Sequence, residues 1–264
     1  MPDVDKSAEA AKAEAPKTEA AKKKDGGWFE LIRTVFYAVL IALVVRTFAY
    51  EPFNIPSGSM KPTLLIGDYL FVSKFAYGYS KYSLPTFGID LFEGRIFGSD
   101  PERGDVAVFR KPTEPDIDFI KRIIGLPGDR IQMIDGLLHI NDQPVDLTAD
   151  GEFIDETCSR SREVPQFIET LPNGVSHLVL NEIDGHYLDT TEVYLVPEGH
   201  FFAMGDNRDQ SSDSRVASVG FIPAENLIGR AEIIFFSADT CGSLYNPLTW
   251  PSSIRWGRLF MSIE

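Results

Sequence analysis

The chain has 264 residues, 44% of them hydrophobic, enough for one globular domain with an elaboration or for two small domains. Its formal net charge of -14 argues against nucleic acid as the main partner, because phosphate binding calls for clustered Lys and Arg. Two cysteines, Cys158 and Cys241, and four scattered histidines, His139, His177, His186 and His200, give neither a C-x-x-C pair nor zinc-type spacing, so no metal or other cofactor is expected.

Residues 1–27 are rich in Ala, Lys and Glu. Such a segment buries too little apolar surface to offset its ordering entropy and is expected to be disordered. The next stretch, "GWFELIRTVFYAVLIALVVRTFAYEPF", has an uninterrupted apolar core, Thr34 to Val45, that is too short to span a bilayer. The longer run 28–50 is long enough if Arg33 and Arg46 snorkel toward the two interfaces. Trp28 and Tyr50 then fall in the aromatic belts, and Lys22, Lys23 and Lys24 keep the tail in the cytoplasm while the rest of the chain crosses. A cleavable signal peptide ending near "TFA" is the competing reading. The long basic region and Arg46 beside the cleavage point favour an uncleaved anchor, and N-terminal sequencing decides between them.

From residue 66 onward the pattern is β. "DYLFVSKF", "DVAVFR", "DFIKRII" and "RAEIIFF" are short runs of Val, Ile and Phe separated by Gly, Pro and Asp. "IQMIDGLLHI" reads as a hairpin around Asp135-Gly136. "GLPGD" places Pro127 and Gly128 where a type II turn needs them. The span 145–195 is more polar and irregular, and reads as a lobe inserted between two strand-rich blocks. No long amphipathic helix is expected after residue 60.

"NIPSGSMKPTL" raises the question of a nucleophilic serine, with Ser57 and Ser59 as candidates; turn residues are the plain alternative. A serine needs a base. There is no G-x-S-x-G elbow and no S-x-x-K motif, and none of the four histidines lies in a segment suited to a triad. A lysine can serve if burial lowers its pKa by about three units from its free value of about 10.4. Two fit. Lys121 alternates with Phe119 and Ile123, and Lys74 alternates with Val72 and Ala76. The residues alone do not choose between them. A third segment, "GDNRDQSSDSR", interleaves Asp206, Arg208, Asp209, Asp213 and Arg215 with serines. Its offsets do not suit a calcium loop; they suit a loop braced by its own ion pairs, able to hold a serine rigidly against a catalytic lysine.

"PSGSMKPTL", "GDYLFVSK", "RGDVAVF" with "DFIKRIIGLPGD", and "GDNRDQSSDSR", in this order, resemble the type I signal peptidases (leader peptidases), bacterial membrane-anchored Ser/Lys endopeptidases. The resemblance covers nearly everything from Trp28 onward. It implies Ser59 as nucleophile and Lys121, rather than Lys74, as general base. It further implies Ser57 and the Ser59 backbone N–H as oxyanion donors, and Ser211 orienting Lys121. Asp213 and Arg215 would brace the loop, with Asp206 and Arg208 supporting them. It implies shallow apolar pockets from Phe53, Ile55, Met60, Leu64 and Ile120 that admit small side chains at the first and third positions before the cut. The partners implied are signal peptides of exported preproteins and the lipid bilayer, with export machinery a further candidate. The location implied is the bacterial inner membrane, single-pass, with a cytoplasmic N-terminus and a periplasmic catalytic domain. Gln210 stands where many relatives carry Asn.

The expected architecture is mainly β: an antiparallel catalytic domain in two parts, 51–129 and 198–264, with an inserted β lobe at 130–197, on one N-terminal helix. The C-terminal "LTWPSSIRWGRLF" reads either as an interfacial contact beside the anchor or as core packing. Whether Cys158 and Cys241 pair is open. Two rival functions remain. One is a related Ser/Lys self-cleaving regulator, which the exported location disfavours. The other is a non-catalytic membrane-tethered β module that binds export partners, which labelling of Ser59 by an acylating inhibitor would separate from an enzyme.

Overall fold

The structure is a computed structural model and describes residues 27–83, 94–157, 160–239 and 250–263. The N-terminal tail through residue 26 and both cysteines lie outside the described residues, as does any disulfide between them.

Helix α1, Gly27–Phe48, carries neither Gly nor Pro after its first residue. It stops where Pro52 approaches, since the residue before a proline is driven out of the helical region. Its 21-residue stretch Trp28–Phe48 is long and apolar enough to cross a membrane and is not buried by protein. At 1.5 Å per residue it matches a hydrocarbon core of about 30 Å.

The remainder is mainly antiparallel β. The strands used below are β1 (Tyr50–Asn54), β2 (Asp68–Ser73), β3 (Val106–Lys111), β4 (Glu114–Gly125), β5 (Arg130–Ile134), β6 (Leu137–Ile140), β7 (Asp146–Thr157), β8 (Arg160–Thr170), β9 (Ser176–Leu180), β10 (His200–Met204) and β11 (Leu227–Ser237). The central sheet has eight strands. It runs β1-β2-β11-β3-β4-β10 and ends on Ile222–Pro223, with Met261–Ser262 also pairing to β11. Both faces of its middle are covered, which explains runs such as "VAVF". Val106 and Val108 enter one core cluster with Leu70, Val72 and Ile234, while Ala107 and Phe109 enter another with Ile123, Phe201 and Ala203.

The two predicted turns form. Ile134 pairs with Leu137 across β5 and β6, and Asp135 and Gly136 have φ of 49° and 79°, as the mirror-image turns of tight hairpins require. Asp129 N–H donates to Leu126 O at 3.0 Å around Pro127 and Gly128, whose φ is +85°, a type II turn.

The polar span differs from its expected irregularity. β7, β8 and β9 form a regular three-stranded sheet, with one bulge between Ala149 and Glu152. Most of β7 is solvent-exposed or only half-buried. With water on both faces, the apolar-polar alternation that marks a strand is absent, so a well-ordered ribbon has a loop-like composition.

Candidate active site

Ser59 sits in the turn-rich segment between β1 and β2, which is closed by hydrogen bonds such as Lys61 N–H to Gly58 O at 3.1 Å and Leu64 N–H to Met60 O at 2.8 Å. Lys121 projects from β4, opposite Ala107 of β3. The two side chains meet: Lys121 Nζ is 2.6 Å from Ser59 Oγ. The lysine is 4% exposed and the serine 7%, so the pair is shielded yet reachable. Nζ also lies 3.0 Å from the Ile120 carbonyl and 5.3 Å from the centre of the Phe119 ring. Burial lowers the Lys121 pKa to about 8; Asp213 and Asp206 oppose the shift and Arg215 adds to it. Lys74, also buried, forms an ion pair with Glu51 at 2.8 Å. Of the two lysines, Lys121 is the one without a carboxylate partner at contact distance among the described residues.

Nearby carboxylates leave Lys121 alone because arginines hold them. Arg122, the next residue on β4, contacts Asp206 through Nε at 2.9 Å and a terminal nitrogen at 2.8 Å. Arg215 contacts Asp213 twice at 2.9 Å. Arg208 contacts Glu169 at 2.6 Å. For all three acids burial works to raise the pKa, but the arginine charge and its hydrogen bonds prevail. Asp206 and Asp213 end below the usual carboxylate range, and Glu169 at about 2. His177 Nε2 lies 3.3 Å from Glu169 and 4.0 Å from Asp206, and burial lowers its pKa. Three guanidinium groups thus balance three carboxylates, and both Lys121 and His177 are biased toward neutrality. Arginine suits this role because it does not give up its proton when buried.

The remaining expected residues are placed as follows. Ser57 is exposed, with Oγ 3.4 Å from Ser59 Oγ. Ser211 is buried and its hydroxyl helps to lower the Asp213 pKa, while among the described residues it makes no hydrogen bond to Lys121. Ser211 instead faces Gly205, where an added Cβ would lie 2.2 Å from Ser211 Oγ and 2.4 Å from the Ser59 carbonyl oxygen. Asp213 accepts from Gly205 N–H at 3.0 Å, and Arg215 donates to the Arg208 carbonyl at 2.6 Å. Phe53, Ile55, Met60, Leu64 and Ile120 do come together in one cluster. Ile55, Met60 and Leu64 are buried in that cluster, and Phe53 and Ile120 are partly buried at its margin.

Sequence reasoning missed Thr63, which donates to Asp206, and Glu169 and His177, which reach the network from β8 and β9 of the lobe. Arg122 had a signal that went unused: an arginine in the middle of the apolar run "FIKRII" must find a buried partner. Nothing local marks Glu169 or His177.

A buried serine–lysine pair on an antiparallel β scaffold, braced by neutralised ion pairs, has the make-up of a hydrolytic site, and the comparisons with known proteins agree on that class. The family model described as "Signal peptidase, peptidase S26" matches residues 28–236. Curated relatives named signal peptidase I include one from Rickettsia canadensis, 44% identical over 86% of this chain and 90% of its own, and one from Rickettsia conorii, 42% identical over 93% and 95%. A crystal structure of a signal peptidase I from Enterococcus faecalis is 25% identical, with a TM-score of 0.31, and covers 50% of this chain and 97% of its own. The chain belongs to the signal peptidase family, peptidase S26, and is a protease that processes the signal peptides of preproteins. The reading as a non-catalytic module is set aside.

Proposed function

We propose that this chain is a membrane-anchored endopeptidase that cuts exported preproteins after Ala-x-Ala-type leaders, with Ser59 as nucleophile and Lys121 as general base. The observation that carries the proposal is the 2.6 Å contact between Lys121 Nζ and Ser59 Oγ at a lysine whose pKa burial lowers to about 8.

With the amine neutral, its lone pair takes the Ser59 proton as Oγ attacks the carbonyl carbon before the scissile bond. The oxygen of that carbonyl becomes an anion, stabilised by the Ser57 hydroxyl and the Ser59 backbone N–H. Lys121, now an ammonium, returns the proton to the departing amine, and the C–N bond breaks. The leader remains as an ester on Ser59. The same lysine, neutral again, accepts a proton from water as that water attacks the ester. The free leader carboxylate leaves and Ser59 Oγ regains its proton.

β1 is the end strand of the sheet and carries Pro52, a residue tolerated on sheet edges. The leader's extended residues add along this edge, with main-chain bonds giving affinity and alternate side chains giving selection, and they meet Phe53 and Ile120. Tyr50 is nine residues from Ser59, at most about 30 Å of chain, so an anchor at 28–50 tethers the site to the bilayer that holds the leader's apolar segment. Confinement to one membrane raises their effective concentration.

Incubation of the purified full chain with a synthetic precursor whose leader ends in Ala-x-Ala, followed by mass analysis, is expected to show one cut after the second alanine. Neither Ser59→Ala nor Lys121→Ala should yield product. Undiminished cleavage by Lys121→Ala would remove the dyad.

A further inference from the structure

Asp209 belongs to the same loop as Asp206 and Asp213, yet takes no part in the network around Lys121 described above. One carboxylate oxygen accepts the backbone N–H groups of Glu182 and Ile183 at 2.6 and 2.9 Å. The other, Oδ1, is buried without a hydrogen-bond partner, on a side chain 1% exposed, and lies 3.6 Å from His186 Nδ1. Asp189 completes a group whose ligand atoms all lie within 4.8 Å of one another. His186 and Asp189 also line a cavity of about 520 Å³ with Asp135, Asn181 and Asp184. Asn181 contributes a second buried oxygen without a partner.

We infer that His186, Asp189 and Asp209 form a binding site for a divalent transition metal ion of the zinc type. Unpaired buried oxygens are costly, and a cation satisfies them. One imidazole nitrogen with two carboxylates suits zinc-like ions better than calcium or magnesium, which favour all-oxygen shells. Ligands at about 2.1 Å from a tetrahedral ion stand about 3.4 Å apart, close to the observed His186–Asp209 spacing, so Asp189 alone must close in. His186 and Asp189 lie three residues apart, but Asp209 is 20 residues further on, so the fold completes the set. Bound metal would clip the segment carrying His186 and Asp189 to the loop that runs back past Ser59.

The test uses the full-length, untagged chain in detergent, stripped with chelator and dialysed against Zn²⁺, with bound metal counted by mass spectrometry and melting followed in parallel. One equivalent per chain and a raised melting temperature are expected for the wild type. His186→Ala and Asp189→Asn should lose both effects while still cleaving precursor, which shows that they fold. No stoichiometric uptake, an equal melting shift with Mg²⁺, or uptake unchanged in His186→Ala would overturn the site.

Discussion

The backbone N–H of Asn207 donates to the carbonyl oxygen of Ser59 at 3.1 Å. The loop 205–215 therefore holds the peptide group of the serine itself. The same loop is pinned from its other side by β9: Leu180 N–H donates to Asp206 O at 2.9 Å, and Arg208 N–H donates to Leu180 O at 3.0 Å. Lys61, two residues beyond Ser59, forms an ion pair with Asp155 of β7. The polar lobe is thus attached to the site at both flanks of the serine, and its ion pairs belong to the electrostatics that keep Lys121 without a carboxylate of its own.

Because only the neutral amine can accept the Ser59 proton, kcat/KM for precursor cleavage should climb about tenfold per pH unit at acid pH and level off above the Lys121 pKa of about 8, since this parameter reports the free enzyme. Stability follows the same group. Between pH 8 and 10.5 the unfolded lysine holds its proton and the folded one does not, so stability rises with pH across that window. Below it, the buried lysine costs roughly 3 kcal/mol. Lys121→Met, similar in volume, should abolish cleavage at every pH and raise the melting temperature at pH 7. A variant that is inactive and also less stable would show that Lys121 is a structural cation instead.

Gly205 is fixed by close approach. A methyl group there would meet not only Ser211 Oγ, which can rotate, but the Ser59 carbonyl oxygen at 2.4 Å, which is backbone. Gly205→Ala should displace Ser59 from Lys121 and lower kcat by about 100-fold, the scale set by misplacement of about 1 Å. Adding Ser211→Gly removes only the side-chain clash and should not restore the rate. Steady-state kinetics on the single and double variants checks this, and a full rescue would assign the effect to Ser211.

What the sequence reveals depends on how local the cause is. The turns at Pro127-Gly128 and Asp135-Gly136 are set by two adjacent residues each, and both form as read. The strands of the central sheet show as apolar runs because both of their faces are covered. Lys121 stands out as a lysine among apolar neighbours, but Lys74 looks the same until Glu51, 23 residues earlier, proves to be its partner. The order of β7 is hidden because two wet faces erase alternation. Glu169 and His177 are hidden because their partners, Arg208 and Asp206, come from a loop about 30 to 40 residues further along the chain. Met60 and Leu64 show a related limit: their apolar character fits a pocket wall or a core equally well, and their burial is set by the fold and not by local sequence.

The Arg122–Asp206 pair is buried on both sides. Removing one partner of such a pair leaves an uncompensated charge at a cost of about 3–5 kcal/mol. Asp206→Ala strands Arg122, frees Thr63 from its acceptor and takes from His177 the more distant of its two carboxylate neighbours. Thermal melting of the full chain in detergent should show a loss of that size, with cleavage lost in parallel. Melting unchanged from the wild type would mean that water reaches the pair.

Trp256 and Phe260 are 63% and 73% exposed, although the segment that carries them is firmly anchored. Arg258 contacts Asp68 at 2.6 Å and Arg255 lies 3.8 Å from the same carboxylate. Exposed aromatic rings on an arginine-anchored segment suit an interfacial contact, and a membrane surface is the expected one. The chain has three tryptophans, so a Trp28→Phe/Trp250→Phe variant leaves Trp256 as the sole tryptophan, excited apart from the tyrosines at the red edge of its absorption. Reconstituted in vesicles, its emission should shift to the blue and be quenched by lipids brominated near the headgroup, and Arg258→Ala should weaken both effects by loosening the anchored segment. Emission typical of water, with no quenching by any brominated lipid, would leave this face in solvent.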